Sequence, residues 1–142
     1  MNVRIRRLRP DTPLPRYESD HAAAFDFTAA DDVVVEPGHV ALVPTGLVIE
    51  VPAGMFLGIF ARSSTPLKRG LMVANGVGVI DPDYCGPADE IKVAVMNFTD
   101  AAVTVRRGDR LAQGIFLSAP RVMWDEADQL RDQSRGGFGA TG

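Results

Sequence analysis

Apolar and β-branched residues come in short runs along this chain, each closed by glycine or proline, and hardly any segment repeats at the helical period. Strands are predicted at Val3–Leu8, Val33–Glu36, His39–Leu42, Leu47–Val51, Met55–Ala61, Leu71–Val73, Gly76–Ile80, Ile91–Asn97, Val103–Val105 and Leu111–Leu117. Turn chemistry separates them at Glu36-Pro37-Gly38, Pro44-Thr45-Gly46, Pro52-Ala53-Gly54 and Arg107-Gly108-Asp109. Many short strands at this spacing predict an all-β fold, a distorted jelly roll or β-barrel. One stretch breaks the pattern, Ala61 to Gly70: Ser64 or Thr65 is suited to cap a helix, Pro66 to its first turn and Gly70 to its end.

Length changes the picture only by limiting it, because 142 residues hold one core and one domain. The barrel is predicted over residues 1–124, followed by a polar, glycine-rich arm over 125–142 that ends RGGFGATG and offers little to any core. No run approaches the ~20 apolar residues of a membrane span. The basic start MNVRIRRLRP lacks the apolar stretch of a signal peptide, so a cytoplasmic protein is expected. A single cysteine, Cys85, leaves no internal disulfide and fits a reducing compartment. A net charge of −3 argues against a nucleic-acid backbone binder. Arginines at positions 4, 6, 7 and 9 alternate with Val3 and Ile5, which reads as the solvated face of a strand.

Three segments carry candidate chemistry. Arg62-Ser63-Ser64 at a helix start combines a guanidinium, two hydroxyls and free amides, the makings of a phosphate cradle; a cap and a surface ion pair would use the same residues. Residues 76–86, GVGVIDPDYCG, read as a β-hairpin whose turn bears Asp81, Asp83 and Tyr84. Asp81 follows Val79 and Ile80, and a partly dry site there would suit a general base. Gln113 interrupts the apolar strand of GDRLAQGIF, so its amide needs a partner, either backbone or ligand.

The order of these pieces resembles the five motifs of the trimeric dUTP pyrophosphatase (dUTPase) family: AAAFDFTAA (22–30), ARSSTPLKRGL, NGVGVIDPDYCG from Asn75, GDRLAQGIF, and the terminal RGGFGATG. The resemblance implies an Mg²⁺-dependent hydrolase of dUTP, a homotrimer with shared active sites and neither nucleic-acid nor membrane partners. By it, Asp81 is the general base that activates the attacking water, and Asn75 with the backbone around Gly78 reads the uracil edge. Tyr84 packs on the deoxyribose, and Arg62, Ser63, Ser64, Gln113 and Arg135 hold phosphates. Phe138 covers the uracil, and Asp26 meets the metal through water.

The chain departs from the family pattern at Ala24, Ala61 and the inserted Pro87-Ala88-Asp89. The tail arginine of the family stands five residues before the stacking aromatic, where this chain has Gln133 (138 − 133 = 5); Arg135 is three before Phe138 (138 − 135 = 3). Two rivals share the fold. A dCTP deaminase would need a glutamate three residues before Asn97, and Ala94 stands there (97 − 94 = 3). A non-catalytic nucleotide-binding module would keep the cradle and lose Asp81.

Overall fold

The computed structural model of the chain describes residues 1–137 and 139. In chain order the elements are β1 (Ile5–Arg7), β2 (Arg16–Tyr17), β3 (Phe25–Thr28), β4 (Val33–Val35), β5 (Val40–Pro44), β6 (Leu47–Ile49), β7 (Met55–Ala61), α1 (Ser64–Arg69), β8 (Leu71–Val73), β9 (Gly78–Ile80), β10 (Lys92–Asn97), β11 (Val103–Val105) and β12 (Arg110–Ser118). Every pairing is antiparallel, and the strands fall into four sheets: β1-β6, β5-β10-β8, β11-β4 and β2-β3-β12-β7-β9. Each strand foreseen from the sequence is present, several of them trimmed at an end. Two were not foreseen, β2 and β3. Among the described residues no helix is long and apolar enough to cross a membrane.

Period-two alternation decides what faces inward. In β3, Phe25 and Phe27 are buried while Asp26 and Thr28 are turned outward; in β10, Val93, Val95 and Asn97 go in. Phe27, Leu57, Ile59, Leu71, Ile91 and Leu111 are among the fully buried side chains, each stabilising the fold by ~1.5–3 kcal/mol. β12 packs tightly over β3 because Gly114 lacks a side chain: a Cβ there would lie 2.6 Å from the Phe25 ring and 2.8 Å from that of Phe27. Asn97 is the one fully buried amide of β10. Its Nδ2 donates to the carbonyls of Val35 and Ala101, both at 2.8 Å, and its Oδ1 accepts from Thr99 N and Oγ1. With all its bonds made, it joins the end of β10 to β4 and the following turn.

The hairpin expected over residues 76–86 is not formed as such. β9 pairs with β7, Leu57 opposite Ile80 and Ile59 opposite Gly78, and no strand follows Asp81 before β10. The reversal lies earlier, between β8 and β9, where Gly76 takes φ 73° and its N–H bonds Val73 O at 3.0 Å. The local sequence hid this because the partner of β9 lies some twenty residues upstream.

The N-terminal arginines are solvated, but β1 does not alternate as expected, since Ile5, Arg6 and Arg7 are all exposed. Arg4 pairs with Glu50 and Arg9 with Asp31, and Arg7 donates to the carbonyls of Pro10 and Thr12. Among the described residues β1 has β6 as its only ladder partner, which leaves its other edge open.

Candidate active site

At the end of β7 the chain delivers Arg62 to a corner shared by three strands. Its Nε donates to Asp26 Oδ1 at 2.9 Å, and an Nη reaches Ser64 Oγ at 3.3 Å. Asp26 projects from β3 directly opposite Gln113 of β12, whose Nε2 donates to Ala61 O at 2.9 Å. Four residues singled out from the sequence, Asp26, Arg62, Ser64 and Gln113, thus meet in one cluster. A fifth was missed: Arg110 places Nη1 3.3 Å from Asp26 Oδ2 and 3.0 Å from a Glu18 oxygen. The Asp26 carboxylate, 11% exposed, is held between two guanidiniums. Each oxygen keeps a free lone pair.

Helix α1 is capped differently from the expectation. Ser63 is the N-cap and makes no side-chain cap bond. Thr65 lies inside the helix and is fully buried, accepting from Arg62 N at 3.2 Å and donating to Leu111 O at 2.9 Å. The hydroxyl of Thr65 therefore fixes the helix start to β12, and those of Ser63 and Ser64 are not spent on capping. Gly70 ends the helix in the left-handed conformation, φ 66°.

In the single chain Asp81 is exposed, and its carboxylate has no hydrogen bond or ion pair among the described residues. It lines an open cavity of about 570 Å³ with Gly54, Phe56, Asp83, Ala119 and Arg121. The short segment after Ile80 has no neighbouring strand to bury it. Asn75 is exposed in the turn between β8 and β9. Gly78 is buried against β7, where a Cβ would come 3.1 Å from Ile59 Cβ, a tight contact that disfavours a larger residue. Tyr84 is 40% exposed, its hydroxyl donating to Glu90 O at 3.1 Å. That bond spans the inserted Pro87-Ala88-Asp89, which closes on itself as a tight turn with Gly86 N donating to Asp89 Oδ2 at 2.7 Å.

The two halves stand apart. The β7–β9 register puts Asp81 level with Phe56, six residues from Arg62 (62 − 56 = 6), or roughly 20 Å at ~3.3 Å per residue. Arg62 also reaches across β12 toward β3, away from β9. Of the tail residues, Gln133 and Arg135 are exposed, and Phe138 lies outside the described residues. Among the described residues no group of three or more His, Cys, Asp or Glu side chains converges as a metal site.

Asp109, at the turn into β12, was not singled out either, though it stands in the same GDRLAQ segment. The Arg69 guanidinium, 2.8 Å away, holds its carboxyl below the usual carboxylate range, helped by the Arg106 N–H. Because the folded value is lowered, the stabilisation is complete above about pH 5 and is lost as the pH falls through the folded value. Asp109→Asn should cost on the order of 1 kcal/mol near neutrality, since the pair is partly solvent-screened, and less in acid. Urea unfolding at pH 7 and pH 3 measures both.

Three comparisons bear on this arrangement. The family model described as dUTPase matches residues 11–142. The deoxyuridine 5'-triphosphate nucleotidohydrolase of Thermobifida fusca (strain YX) is 44% identical, over all of this chain and 79% of its own length. A crystal structure of dUTPase from Streptococcus mutans superposes with a TM-score of 0.77 at 35% identity, covering 84% of this chain and 98% of that one. At 20% identity, a point mutant of the dUTPase from phage phi11 of S. aureus, whose structure is described as revealing coordination of a structural Mg(II) ion, shares the fold (TM-score 0.80, 91% of this chain and 98% of that one). With the match running through the cradle of Arg62, the segment of Asp81 and the strand of Gln113, this chain belongs to the dUTPase family.

Proposed function

We propose that this chain hydrolyses dUTP to dUMP and pyrophosphate in a homotrimer whose active sites each combine parts of different subunits. The observation that carries the reading is the division of the machinery: a polar cluster built around Arg62 and Asp26 just past one end of β7, and an unpartnered carboxylate, Asp81, beside the other end, roughly 20 Å away along β7. A triphosphate cannot touch both in one chain. Two copies placed so that one presents Arg62 and the other Asp81 complete the site.

In that site Asp81 orients a water and takes its proton as the oxygen attacks the α-phosphorus. The bond from that phosphorus to its bridging oxygen breaks, and pyrophosphate leaves. Asp81 is suited to the task because nothing else among the described residues engages its carboxylate. Arg62, Ser63, Ser64 and Gln113 hold phosphate oxygens, with Gln113 fixed by its bond to Ala61 O. Arg135 joins them from the tail, and Phe138 covers the base. Asn75 and the backbone around Gly78 read the uracil edge.

The donor set fits Mg²⁺ that arrives with the substrate, since Mg²⁺ keeps several waters and needs few protein carboxylates. Asp26 would hold it through water, using the lone pairs that Arg62 and Arg110 leave free. When bound, the ion supplies neutralisation of the triphosphate charge. Removal of dUTP would keep uracil out of DNA and provide dUMP for thymidylate synthesis, in the cytoplasm.

Pyrophosphate release from dUTP with Mg²⁺ tests the activity directly; absence of release from the folded trimer refutes it. Sugar and base selectivity give a second test. With the Tyr84 ring tethered to Glu90 O and packed on the deoxyribose, a 2′-hydroxyl has neither space nor a partner. UTP should show kcat/KM ~10²-fold or more below dUTP, and dTTP should fail for want of room at the 5-methyl. Comparable values for UTP and dUTP would remove the steric role from Tyr84.

A further inference from the structure

We infer that the inserted turn Pro87-Ala88-Asp89 sets sugar selectivity, with Asp89 the positioning residue that keeps the Tyr84 ring where it excludes a ribose 2′-hydroxyl. The inference rests on the place given to Tyr84 in the proposed function and names what holds the ring there.

The ring needs a hold. Tyr84 is exposed and lies between β9 and β10, outside any strand. Among the described residues the one polar contact of its side chain is the bond from its hydroxyl to Glu90 O. An aromatic side chain projecting from a turn otherwise moves between rotamers at little cost, and a ring that tilts aside opens the space of the 2′-hydroxyl.

The carbonyl that holds the ring is fixed from its far side. The Glu90 carboxylate accepts from Gly46 N at 2.8 Å. The next residue, Ile91, is fully buried; its N–H donates to Leu47 O at 2.9 Å and its carbonyl accepts from Thr45 Oγ1 at 2.6 Å. From Glu90 onward the chain therefore belongs to the core. Before the ring the chain is fixed too, since Tyr84 N donates to Asp81 O at 3.2 Å and Ile80 pairs with Leu57. Between these two fixed stretches lies the segment from Cys85 to Asp89, most of which is the insert.

Asp89 takes the slack out of that segment. Its Oδ2 accepts from Gly86 N at 2.7 Å, and its own N–H donates to Gly86 O at 3.2 Å, so both backbone polar groups of Gly86 are tied to one residue. The closure is tight: a Cβ on Gly86 would lie 2.8 Å from Asp89 Oδ2. Closed in this way, the insert adds residues without adding reach. With the closure broken, the Tyr84 hydroxyl and the Glu90 carbonyl are joined only by a loose loop, and their bond must then offset the entropy of ordering it.

Selectivity reads the device directly. Asp89→Ala should raise kcat/KM for UTP by ~5–10-fold, about the worth of one hydrogen bond, and lower that for dUTP by less than about 2-fold. A merely damaged fold would lower both. Asp89→Asn keeps an oxygen for Gly86 N and should retain the parent's preference for dUTP. Gly86→Ala, whose methyl displaces the Asp89 carboxylate, should narrow the preference as Asp89→Ala does and serves where that variant does not fold. Tyr84→Phe cuts the same tether at its other end, so adding Asp89→Ala to it should narrow the preference no further. Three results overturn the inference alone: an unchanged preference in folded Asp89→Ala or Gly86→Ala, a narrowed one in Asp89→Asn, or effects that multiply in the double variant. A parent protein that hydrolyses UTP as readily as dUTP, or hydrolyses neither, overturns the role of Tyr84 as well.

Discussion

Asp81→Asn should lower the turnover of dUTP by ~10²-fold or more while leaving the affinity for a non-hydrolysable dUTP analogue nearly unchanged. The substitution keeps the shape of the side chain and removes its basicity. Asp81 is exposed and bonded to nothing among the described residues, so its loss opens no cavity and orphans no partner. Folding should therefore be untouched, and the deficit should appear in kcat and not in KM. A variant that turns over at the parent's rate would take the general base away from Asp81. One that has lost affinity as well would make it a binding group instead.

Asp81→Asn and Arg62→Met, each nearly inactive as a homotrimer, should regain activity when unfolded together and refolded at equal amounts. If base and cradle come from different subunits, ~1/4 of the sites (½ × ½) in randomly assembled trimers draw both from intact sequences. If one chain supplied both, every site would carry one lesion, and mixing would restore nothing. Arg62→Met leaves the largely buried Asp26 with Arg110 as its remaining cation, so that variant should lose stability too; native mass spectrometry of the mixture establishes that mixed trimers formed. Mixed trimers without recovered hydrolysis would place the whole site within one subunit.

What could be read from the residues differed by element. β7 and β8 were bounded to the residue because β-branched and apolar runs end at glycine or at the capped helix. β3 was overlooked although Phe25-Asp26-Phe27-Thr28 alternates strictly, because the run is short and sits among alanines that favour no strand. The place of β9 was not legible at all, since its ladder is non-local and nothing near Asp81 names Leu57 as the partner of Ile80. Of the site, the residue types were legible and their neighbourhoods only in part. That Arg62 and Asp26 bind one another, with Arg110 on the far oxygen, depends on β12 lying between β7 and β3. The exposure of Asp81 follows from the absence of a strand after it, which apolar Val79 and Ile80 concealed.

β7 acts as a ruler, with Arg62 just beyond one end and Asp81 beside the other. Adding two residues to this strand would preserve its alternation, and a single subunit could take up the change in the flanking loop at little cost. The distance from cradle to base would nonetheless grow by ~7 Å. In the proposed threefold ring the same error would be repeated at every junction, so three sites would go out of gauge together. In the proposed trimer the length of β7 therefore sets a gauge, and a change in it should cost activity well before it cost the fold.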